Sequence, residues 1–411
     1  MFQLVASKLL IKNLITFVKS RKVKWEKEKK KIAFILFSSL SMGAGIENAT
    51  VQYCKYKPDE YKIDIFQTDF PKGTRIYESI EFDYKKVNLH TMKGYDQKFT
   101  FLAKSKFGIM LLLCVIWPAL FLVMRILPEY RKFRQQIVNY DIVYCFGNYY
   151  SSLIPKGPIV IGSSHGWSPE RTGILKGLFT AMVGKGLWWK RVSIFHLFSK
   201  FTWFFDRYNK FGFTADNGVE QAVFYPKVRP IISSKNKFVF MGRLVECKGV
   251  KRLIDAFEIA TVKKAEIELH IIGKGPMSNL FKNAKNVTHH GFLSLPESAR
   301  ILRESDCFVY PTSCDSFPLV VLEALASGLY VIASDQLRGA FDEFEQIGIL
   351  EYCPNNIDYF ANRMINFIDV GVSKEKILEA QELISKKYSW EGVCRELYSY
   401  FDRYIFDNLL V

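Results

Sequence analysis

The sequence lacks closely spaced cysteines. Its eight cysteines are scattered along 411 residues, and no two of them form a Cys-x-x-Cys pair. Small disulfide-rich domains and structural zinc sites depend on cysteines that recur at short spacings. We therefore expect neither a disulfide framework nor a zinc site, and this cysteine usage fits a reducing cytoplasm.

The sequence also lacks internal repeats, and outside one lysine-rich stretch it has no low-complexity segment. Hydrophobic residues make up 49% of the chain and charged residues 24%, which excludes an intrinsically disordered protein. The length is sufficient for two domains, each with a full hydrophobic core.

Acidic residues are scarce relative to basic ones, and the imbalance is local. The formal net charge is +16, and residues 1–31 contain ten Lys or Arg against two Glu, which is half of that charge. Cationic clusters attract either nucleic acid or anionic lipid headgroups. No recognisable nucleic-acid-binding module with interleaved aromatic residues accompanies the charge, so we do not expect nucleic acid as a partner.

The apolar residues at the start of the chain favour a membrane partner. On a helix with about 100° per residue, one side is apolar and the other polar. The apolar side has Leu4, Leu10, Ile11, Leu14, Ile15 and Val18, and the polar side has Lys8, Lys12, Thr16 and Lys19. We predict that residues 1–30 form a basic amphipathic helix on an anionic membrane surface. A helix docked on the protein's own surface is the alternative.

Strand-like apolar runs alternate with longer segments along the chain. One series has runs at 31–37, 61–66, 86–90, 141–146 and 159–163, and a second has runs at 238–241, 267–272, 287–290, 306–310 and 329–333. This alternation predicts βαβ units and parallel sheets. We predict an α/β fold with two Rossmann-like domains that face each other across a cleft, at 31–228 and 229–390. A C-terminal helix at 391–411 is expected to pack back on the first domain.

Residues 107–124 are uncharged and almost wholly apolar, long enough to suggest a transmembrane helix. They fall between two strands of one predicted sheet, so a single crossing would separate its halves, and Pro118 would kink the helix. We predict instead that residues 107–127 insert into one leaflet of the bilayer. A helix buried in the core of the first domain is the alternative.

Two motifs in the second half combine charges with helix starts. Gly242 and Arg243 follow a strand, and Lys248 precedes a helix, where free N–H groups and added cations suit a diphosphate. Further on, a loop carries Asp315, and Glu323 lies eight positions later in the second turn of a helix. Two such carboxylates can accept hydrogen bonds from sugar hydroxyls, although either alone could be an ordinary charge at a helix N-terminus.

The helix of the second motif begins near Pro318, a residue favoured at helix starts, and the N–H groups around Phe317 and Leu319 can face an anionic ligand. In the first half, His165 follows a strand and precedes a glycine, which makes it a candidate site residue. A glycine-rich loop follows the first strand and is either a site or only a tight turn. Its candidate residues are Gly43, Ala44 and Gly45.

Together these residues resemble the retaining GT-B glycosyltransferases of the family 4 type, the glycosyl transferases group 1. The Gly-Arg-Leu…Lys-Gly element of that family matches residues 242–249, and its Glu-x7-Glu element matches Asp315 and Glu323. Asp315 stands where the family typically has Glu, and Ser316 stands where Gly is common. The resemblance covers residues 31 to about 369 and is weakest between 50 and 140.

The resemblance implies roles for the matching residues. Arg243 and Lys248 would bind the donor diphosphate, Glu323 the nucleotide ribose and Asp315 the transferred sugar. His165 would contact the donor sugar near the reacting carbon, and the loop at 43–45 would approach phosphate or acceptor. Neither a cofactor nor a metal ion is implied beyond the nucleoside-diphosphate sugar itself. The pair His289 and His290 is expected to be structural, because adjacent strand side chains point to opposite faces.

The resemblance implies a glycosyltransferase, and the basic and apolar segments place it at the cytoplasmic face of a membrane as a peripheral or monotopic protein. Its donor would be a nucleotide sugar, and its acceptor a lipid-linked glycan or a surface polysaccharide precursor. One alternative is a GT-B epimerase or phosphorylase. Another is a membrane-bound pseudoenzyme that binds a sugar nucleotide as a partner subunit, an alternative suggested by the departures at Asp315 and Ser316.

Overall fold

The computed structural model describes residues 29–36, 45–68, 87–92, 128–146, 154–163, 193–198, 212–226, 236–264, 266–281 and 284–408. The predictions for the amphipathic helix at 1–30, except its last two residues, and for the insertion segment at 107–127 lie outside these ranges. So do those for Gly43, Ala44 and His165.

A seven-stranded parallel sheet forms the first Rossmann-like domain. Its strands are β1 (Lys30–Ile35), β2 (Tyr61–Thr68), β3 (Asn88–Met92), β4 (Ile142–Phe146), β5 (Ile159–Ser163), β6 (Ile194–Leu197) and β7 (Gly212–Thr214). They lie in the order β3-β2-β1-β4-β5-β6-β7, and every neighbouring pair is parallel. The helices α1 (Gly45–Lys55) and α2 (Pro128–Ile137) belong to this part of the chain.

The central strand β1 shows why a continuous apolar run forms this kind of sheet. Successive side chains of a strand point to opposite faces. Ile32 and Phe34 enter the core on one face, and Ala33 and Ile35 enter a separate core on the other face, where Phe133 of α2 also packs. Because both faces are covered, every position of the strand interior must be apolar.

A six-stranded parallel sheet forms the second domain, in the order β10-β9-β8-β11-β12-β13. Its strands are β8 (Asn236–Met241), β9 (Ile267–Ile272), β10 (Val287–Gly291), β11 (Cys307–Tyr310), β12 (Tyr330–Ser334) and β13 (Leu350–Cys353). The helices of this part are α3 (Val250–Lys263), α4 (Leu295–Glu304), α5 (Leu319–Ala326), α6 (Asp342–Ile347), α7 (Ile357–Val370) and α8 (Lys374–Lys387).

The last helix, α9 (Trp390–Asn408), returns to the first domain. Its buried side chains, among them Trp390, Leu397 and Phe401, belong to the same hydrophobic core as Phe34 of β1. At the crossing point Val219 pairs with Ser389 in an isolated parallel bridge. The chain therefore connects the two domains twice, and the first domain is completed by residues from both ends of the described chain.

The prediction of an α/β fold with two parallel Rossmann-like sheets is confirmed. The short strands β6, β7 and β13 were missed by the sequence analysis. Among the described residues, no helix combines the length and the apolar character needed to span a membrane.

Candidate functional site

Each sheet has one point where the strand order reverses direction, between β1 and β4 in the first sheet and between β8 and β11 in the second. In open parallel sheets, ligands bind beyond the carboxyl ends of the strands at such a point. The chain leaves β8 into Gly242 and Arg243, and it leaves β11 into the loop that carries Asp315. The two predicted motifs of the second domain therefore lie at one switch point.

Gly249 allows the segment after β8 to lie against the loop after β11. Its φ is 74°, and a Cβ built there would lie 1.9 Å from the carbonyl oxygen of Pro311. The Arg252 guanidinium donates a hydrogen bond of 2.8 Å to the same oxygen. Only a residue without a side chain permits this approach, so Gly249 places the start of α3 beside the loop.

Lys248 and Asp315 form an ion pair inside this junction. The distance between Lys248 Nζ and Asp315 Oδ1 is 2.5 Å, and Lys248 as a whole is 9% exposed. The other carboxylate oxygen accepts hydrogen bonds from the Tyr310 hydroxyl at 2.8 Å and the Thr312 hydroxyl at 2.7 Å. The hydroxyl groups of Tyr310 and Thr312 therefore also hold the Asp315 carboxylate in place.

The surroundings of Asp315 keep its carboxylate ionised. Burial by itself would raise the pKa of Asp315, but the charge of Lys248 and the donated hydrogen bonds outweigh burial and hold this pKa below its ordinary value. Arg243 is exposed just after the end of β8. Burial raises the pKa of the Tyr310 hydroxyl, and the positive charge of Arg243 partly opposes this rise. Two cations and one anion thus share the site, which favours a polyanionic ligand.

The N-terminus of α5 lies at the boundary with the first domain. Pro318 precedes the helix and supplies no side-chain cap, so the first N–H groups of α5 are suited to an external acceptor. The ring of Phe317 stacks on that of Phe198 beyond β6, with centroids 5.2 Å apart. Leu319 Cδ1 lies 3.8 Å from the position of a Cβ built on Gly45. Helices α1 and α5 therefore begin next to each other, one from each sheet.

Glu323 lies in the second turn of α5 and is 7% exposed. Burial raises its pKa to about 7, because a carboxylate loses hydration when it leaves water. Near neutral pH the side chain is therefore divided between its protonated and ionised forms. Such a group can accept hydrogen bonds from hydroxyl groups of a ligand and can also donate a hydrogen bond to them.

Tyr310 and Thr312, the neighbours that hold the Asp315 carboxylate, were not predicted from the sequence. The available signal was position: Tyr310 ends a buried strand, and Thr312 lies three residues before the carboxylate in the same loop. Ser316 is the position noted above as a departure from the related family. Ser316 is 3% exposed, and its hydroxyl makes no hydrogen bond to any part of the chain that the structure describes.

The two adjacent histidines of β10 have different surroundings. His289 Nε2 lies 2.9 Å from the Gly273 carbonyl oxygen, whereas His290 stacks on His270 with a ring separation of 5.2 Å. Within the described ranges, no group of three or more His, Cys, Asp or Glu side chains is arranged to hold a metal ion.

Part of the second domain is similar to a known family. Residues 235–369 match the family described as glycosyl transferases group 1. An uncharacterized glycosyltransferase of Methanocaldococcus jannaschii is 23% identical over 199 residues, which are 46% of this chain and 50% of the relative. The phosphatidyl-myo-inositol mannosyltransferase of Mycobacterium tuberculosis is 26% identical over 169 residues, which are 39% of this chain and 45% of the relative. The chain matches half or less of the length of these relatives.

The likeness to solved structures extends over both domains. The structure of HepE from Anabaena in complex with UDP and glucose superposes with a TM-score of 0.67 and 15% identity, and it covers 91% of this chain and all of HepE. At this level of identity the likeness concerns the fold, and it confirms the predicted GT-B arrangement of two Rossmann-like domains.

Proposed function

We propose that this chain, whose residues 235–369 match the glycosyl transferases group 1 family, is a glycosyltransferase that moves a sugar from a nucleoside-diphosphate sugar to a membrane-associated acceptor. The observation that carries the proposal is the Lys248–Asp315 ion pair at the switch point of the second sheet, next to the exposed Arg243. Transfer is proposed to retain the configuration at the reacting carbon.

The donor diphosphate would be bound by cations and by a helix N-terminus. Arg243 and Lys248 supply positive charge, and the uncapped start of α5 supplies N–H groups. When the sugar leaves, negative charge develops on the diphosphate, and fixed positive groups stabilise that charge in the transition state. We expect no bound metal ion to be needed, so transfer should persist after dialysis against a chelator.

Two carboxylates would position the nucleotide sugar. The Asp315 carboxylate is already ionised and oriented. Hydroxyl groups of the sugar can therefore replace the protein groups that donate hydrogen bonds to it, with little reorganisation. Glu323 would accept hydrogen bonds from the ribose hydroxyls. Since Lys248 and Asp315 neutralise each other in their ion pair, donor binding would exchange this internal contact for contacts with phosphate and sugar.

The acceptor is proposed to be lipid-linked or a polysaccharide precursor at the cytoplasmic face of a membrane. The support is the basic amphipathic pattern of residues 1–30 and the apolar segment 107–127. A related protein is named as a phosphatidyl-myo-inositol mannosyltransferase, which names a lipid acceptor for that protein.

The test uses radiolabelled UDP-glucose and GDP-mannose with a native membrane lipid extract. We expect Lys248→Ala and Glu323→Ala to reduce transfer about a hundredfold or more, because they remove contacts to the donor. Lys251→Ala is the matched control, since Lys251 is an exposed cation on α3 paired with Asp255. Wild-type rates in both site variants would refute the assignment, and donor binding without turnover would instead indicate a pseudoenzyme.

A further inference from the structure

Two cysteines that are distant in sequence meet beside the proposed donor site. Cys247 belongs to a 3-10 turn at Glu246–Lys248, and Cys314 belongs to the loop between β11 and α5. Their Sγ atoms lie 2.6 Å apart. Each is the immediate neighbour of a charged site residue, Lys248 in one case and Asp315 in the other.

The backbones around the two thiols are joined as well. The Cys247 carbonyl oxygen accepts hydrogen bonds from the Ser313 backbone N–H at 2.8 Å and from the Ser313 hydroxyl at 3.1 Å. Gly249 adds the close approach to Pro311 on the other side of Lys248. These contacts hold the 3-10 turn against the loop, so the closeness of the thiols follows from the fold.

These two thiols differ from the other cysteines that the structure describes. Cys247 and Cys314 are partly exposed, whereas the other described cysteines are buried: Cys54, Cys145, Cys307, Cys353 and Cys394. A small oxidant in solution can therefore reach this pair and not the buried thiols.

We propose that Cys247 and Cys314 form a dithiol modification site at which a small disulfide reversibly creates a Cys247–Cys314 bond and thereby closes the donor site. The regulatory part of this inference rests on the proposed function of the site. The formation of the bond does not.

The chemistry is thiol–disulfide exchange. Burial, the charge of Asp315 and the contact with Cys247 raise the pKa of Cys314 to about 11, so Cys314 is mainly a thiol near neutral pH. The thiolate of one of the two cysteines attacks one sulfur of the small disulfide, and one small thiol leaves. The other cysteine then loses its proton to solvent and attacks the sulfur of the first, which releases the second small thiol. The protein loses two electrons and two protons, and the small disulfide gains them.

The expected consequence is weaker donor binding. The sulfurs are adjacent in the same arrangement in which Lys248 is paired with Asp315. A bond between the sulfurs would stabilise this self-neutralised arrangement, whereas the donor needs Lys248 for phosphate and Asp315 for sugar. Since coupling between two binding events is reciprocal, a bound donor should also slow formation of the disulfide.

Bond formation is tested on the full-length reduced protein with glutathione disulfide in the absence of any donor. Peptide mass spectrometry without reduction should detect a Cys247–Cys314 crosslinked peptide that disappears after dithiothreitol. Complete oxidation of the accessible thiols without this peptide, for example with only glutathione adducts, would overturn the assignment. This readout is independent of any transferase activity.

Regulation is tested by comparing the reduced and oxidised protein with UDP-glucose and GDP-mannose. Oxidation should weaken the binding of whichever probe the reduced protein binds at least tenfold, and dithiothreitol should restore binding. Cys247→Ser and Cys314→Ser, each lacking one sulfur, should bind the probe in both conditions. If either variant fails to fold, the oxidised and reduced wild type still decide the question.

The outcomes separate the two proposals. Equal affinity before and after crosslinking would overturn the regulatory role while leaving the modification site. A reduced protein that binds and transfers sugar but never forms the crosslink would overturn this inference alone. A crosslinked protein that never binds or transfers sugar in either state would refute the proposed function and with it the regulatory role.

Discussion

Asp315 is ionised in a place where burial opposes ionisation. Its stabilisation comes from the Lys248 cation, which belongs to the turn after β8, and from the Tyr310 and Thr312 hydroxyl donors, which belong to the same segment as Asp315. A buried charge pair of this kind contributes little net stability, because desolvation offsets much of the attraction, yet it fixes the geometry of both groups. At this scale the site is an oriented carboxylate with a nearby cation.

Glu323 is the opposite case, a buried carboxylate whose pKa is raised to about 7 from an ordinary value of 4.5. The folded protein binds this proton more tightly than the unfolded chain. The contribution of Glu323 to the free energy of unfolding should therefore be greatest at low pH and should fall as the pH rises from about 4.5 to about 7. The loss should reach at most about 3 kcal/mol.

The measurement is the free energy of unfolding of the wild type and of Glu323→Gln at about pH 5 and about pH 8. Glutamine does not titrate, so the variant should gain stability relative to the wild type at the higher pH. Glu258→Gln, at an exposed position of α3, is the control and should show no such trend. A difference between wild type and Glu323→Gln that is independent of pH would contradict the raised pKa.

At the scale of elements, the site depends on how closely the turn after β8 approaches the loop after β11. The two strands are neighbours in the sheet, which brings their carboxyl ends together. Gly249 then allows its own backbone to lie directly against the backbone carbonyl group of Pro311. The charges of Lys248 and Asp315 meet because of this contact between two connecting segments.

We predict that Gly249→Ala destabilises the protein by several kcal/mol. The added methyl group would meet the Pro311 carbonyl oxygen at 1.9 Å, and the residue would also keep a left-handed φ of 74°. Gly348→Ala separates these effects, since Gly348 is also left-handed, with φ 78° and ψ 29°, and an added Cβ would meet only the flexible Lys376 side chain. That control should lose only about 1–3 kcal/mol, the ordinary strain of a left-handed residue.

Chemical denaturation of both variants supplies the measurement. Equal losses in the two variants would show that the contact with Pro311 relaxes easily. A loss in Gly249→Ala that greatly exceeds the loss in Gly348→Ala would establish the close approach.

At the scale of the whole molecule, the stability of the first domain depends on α9, which lies at the end of the described chain. Phe401 is fully buried and lies 5.9 Å from the ring of Tyr144 in the first sheet. The end of the described chain therefore packs into the core of the first sheet. A substitution that disrupts the packing of α9 should therefore destabilise the first sheet rather than the second.

We predict that Phe401→Ala destabilises the first domain by about 3–5 kcal/mol, the usual effect of removing a buried aromatic side chain. Ser399→Ala, at an exposed position of the same helix, should change stability by less than about 0.5 kcal/mol. Hydrogen exchange is the measurement: amides of β1 and β4 should exchange faster in Phe401→Ala, and those of β8 and β11 should be unchanged. Equal acceleration in both sheets would mean that the domains unfold together.

Membrane association also concerns the whole molecule. Deleting residues 1–20 should reduce retention on anionic vesicles more than it reduces transfer to a soluble acceptor analogue, because these residues carry the amphipathic pattern. Leu14→Glu in the full chain, which interrupts the apolar side and leaves the lysines, should weaken retention in the same direction. Unchanged vesicle partition in the deletion variant would contradict the membrane proposal.

Much of the fold was predictable because the signals were strong and local. The buried runs that became β5 and β9 were predicted with their observed bounds, since a continuous apolar run of strand length followed by a polar turn has few other interpretations. The strands β6, β7 and β13 were missed because they are short and because His196, Gly212 and Glu351 interrupt or shorten their apolar runs, whereas the equally short β11 is Cys-Phe-Val-Tyr. In the candidate site, the charged residues were predicted and the hydroxyl donors to Asp315 were not.

Local sequence information was sufficient to predict the parallel α/β alternation and the glycines and charged residues that follow the strands. The reason is that apolar runs and turns depend on residues that are close in sequence. Only the folded chain decided that Lys248 meets Asp315, that Cys247 lies against Cys314 and that α9 completes the first core. Both of those pairs join residues 67 positions apart. Such contacts follow from the order of strands in space, with β11 beside β8, and no local pattern carries that order.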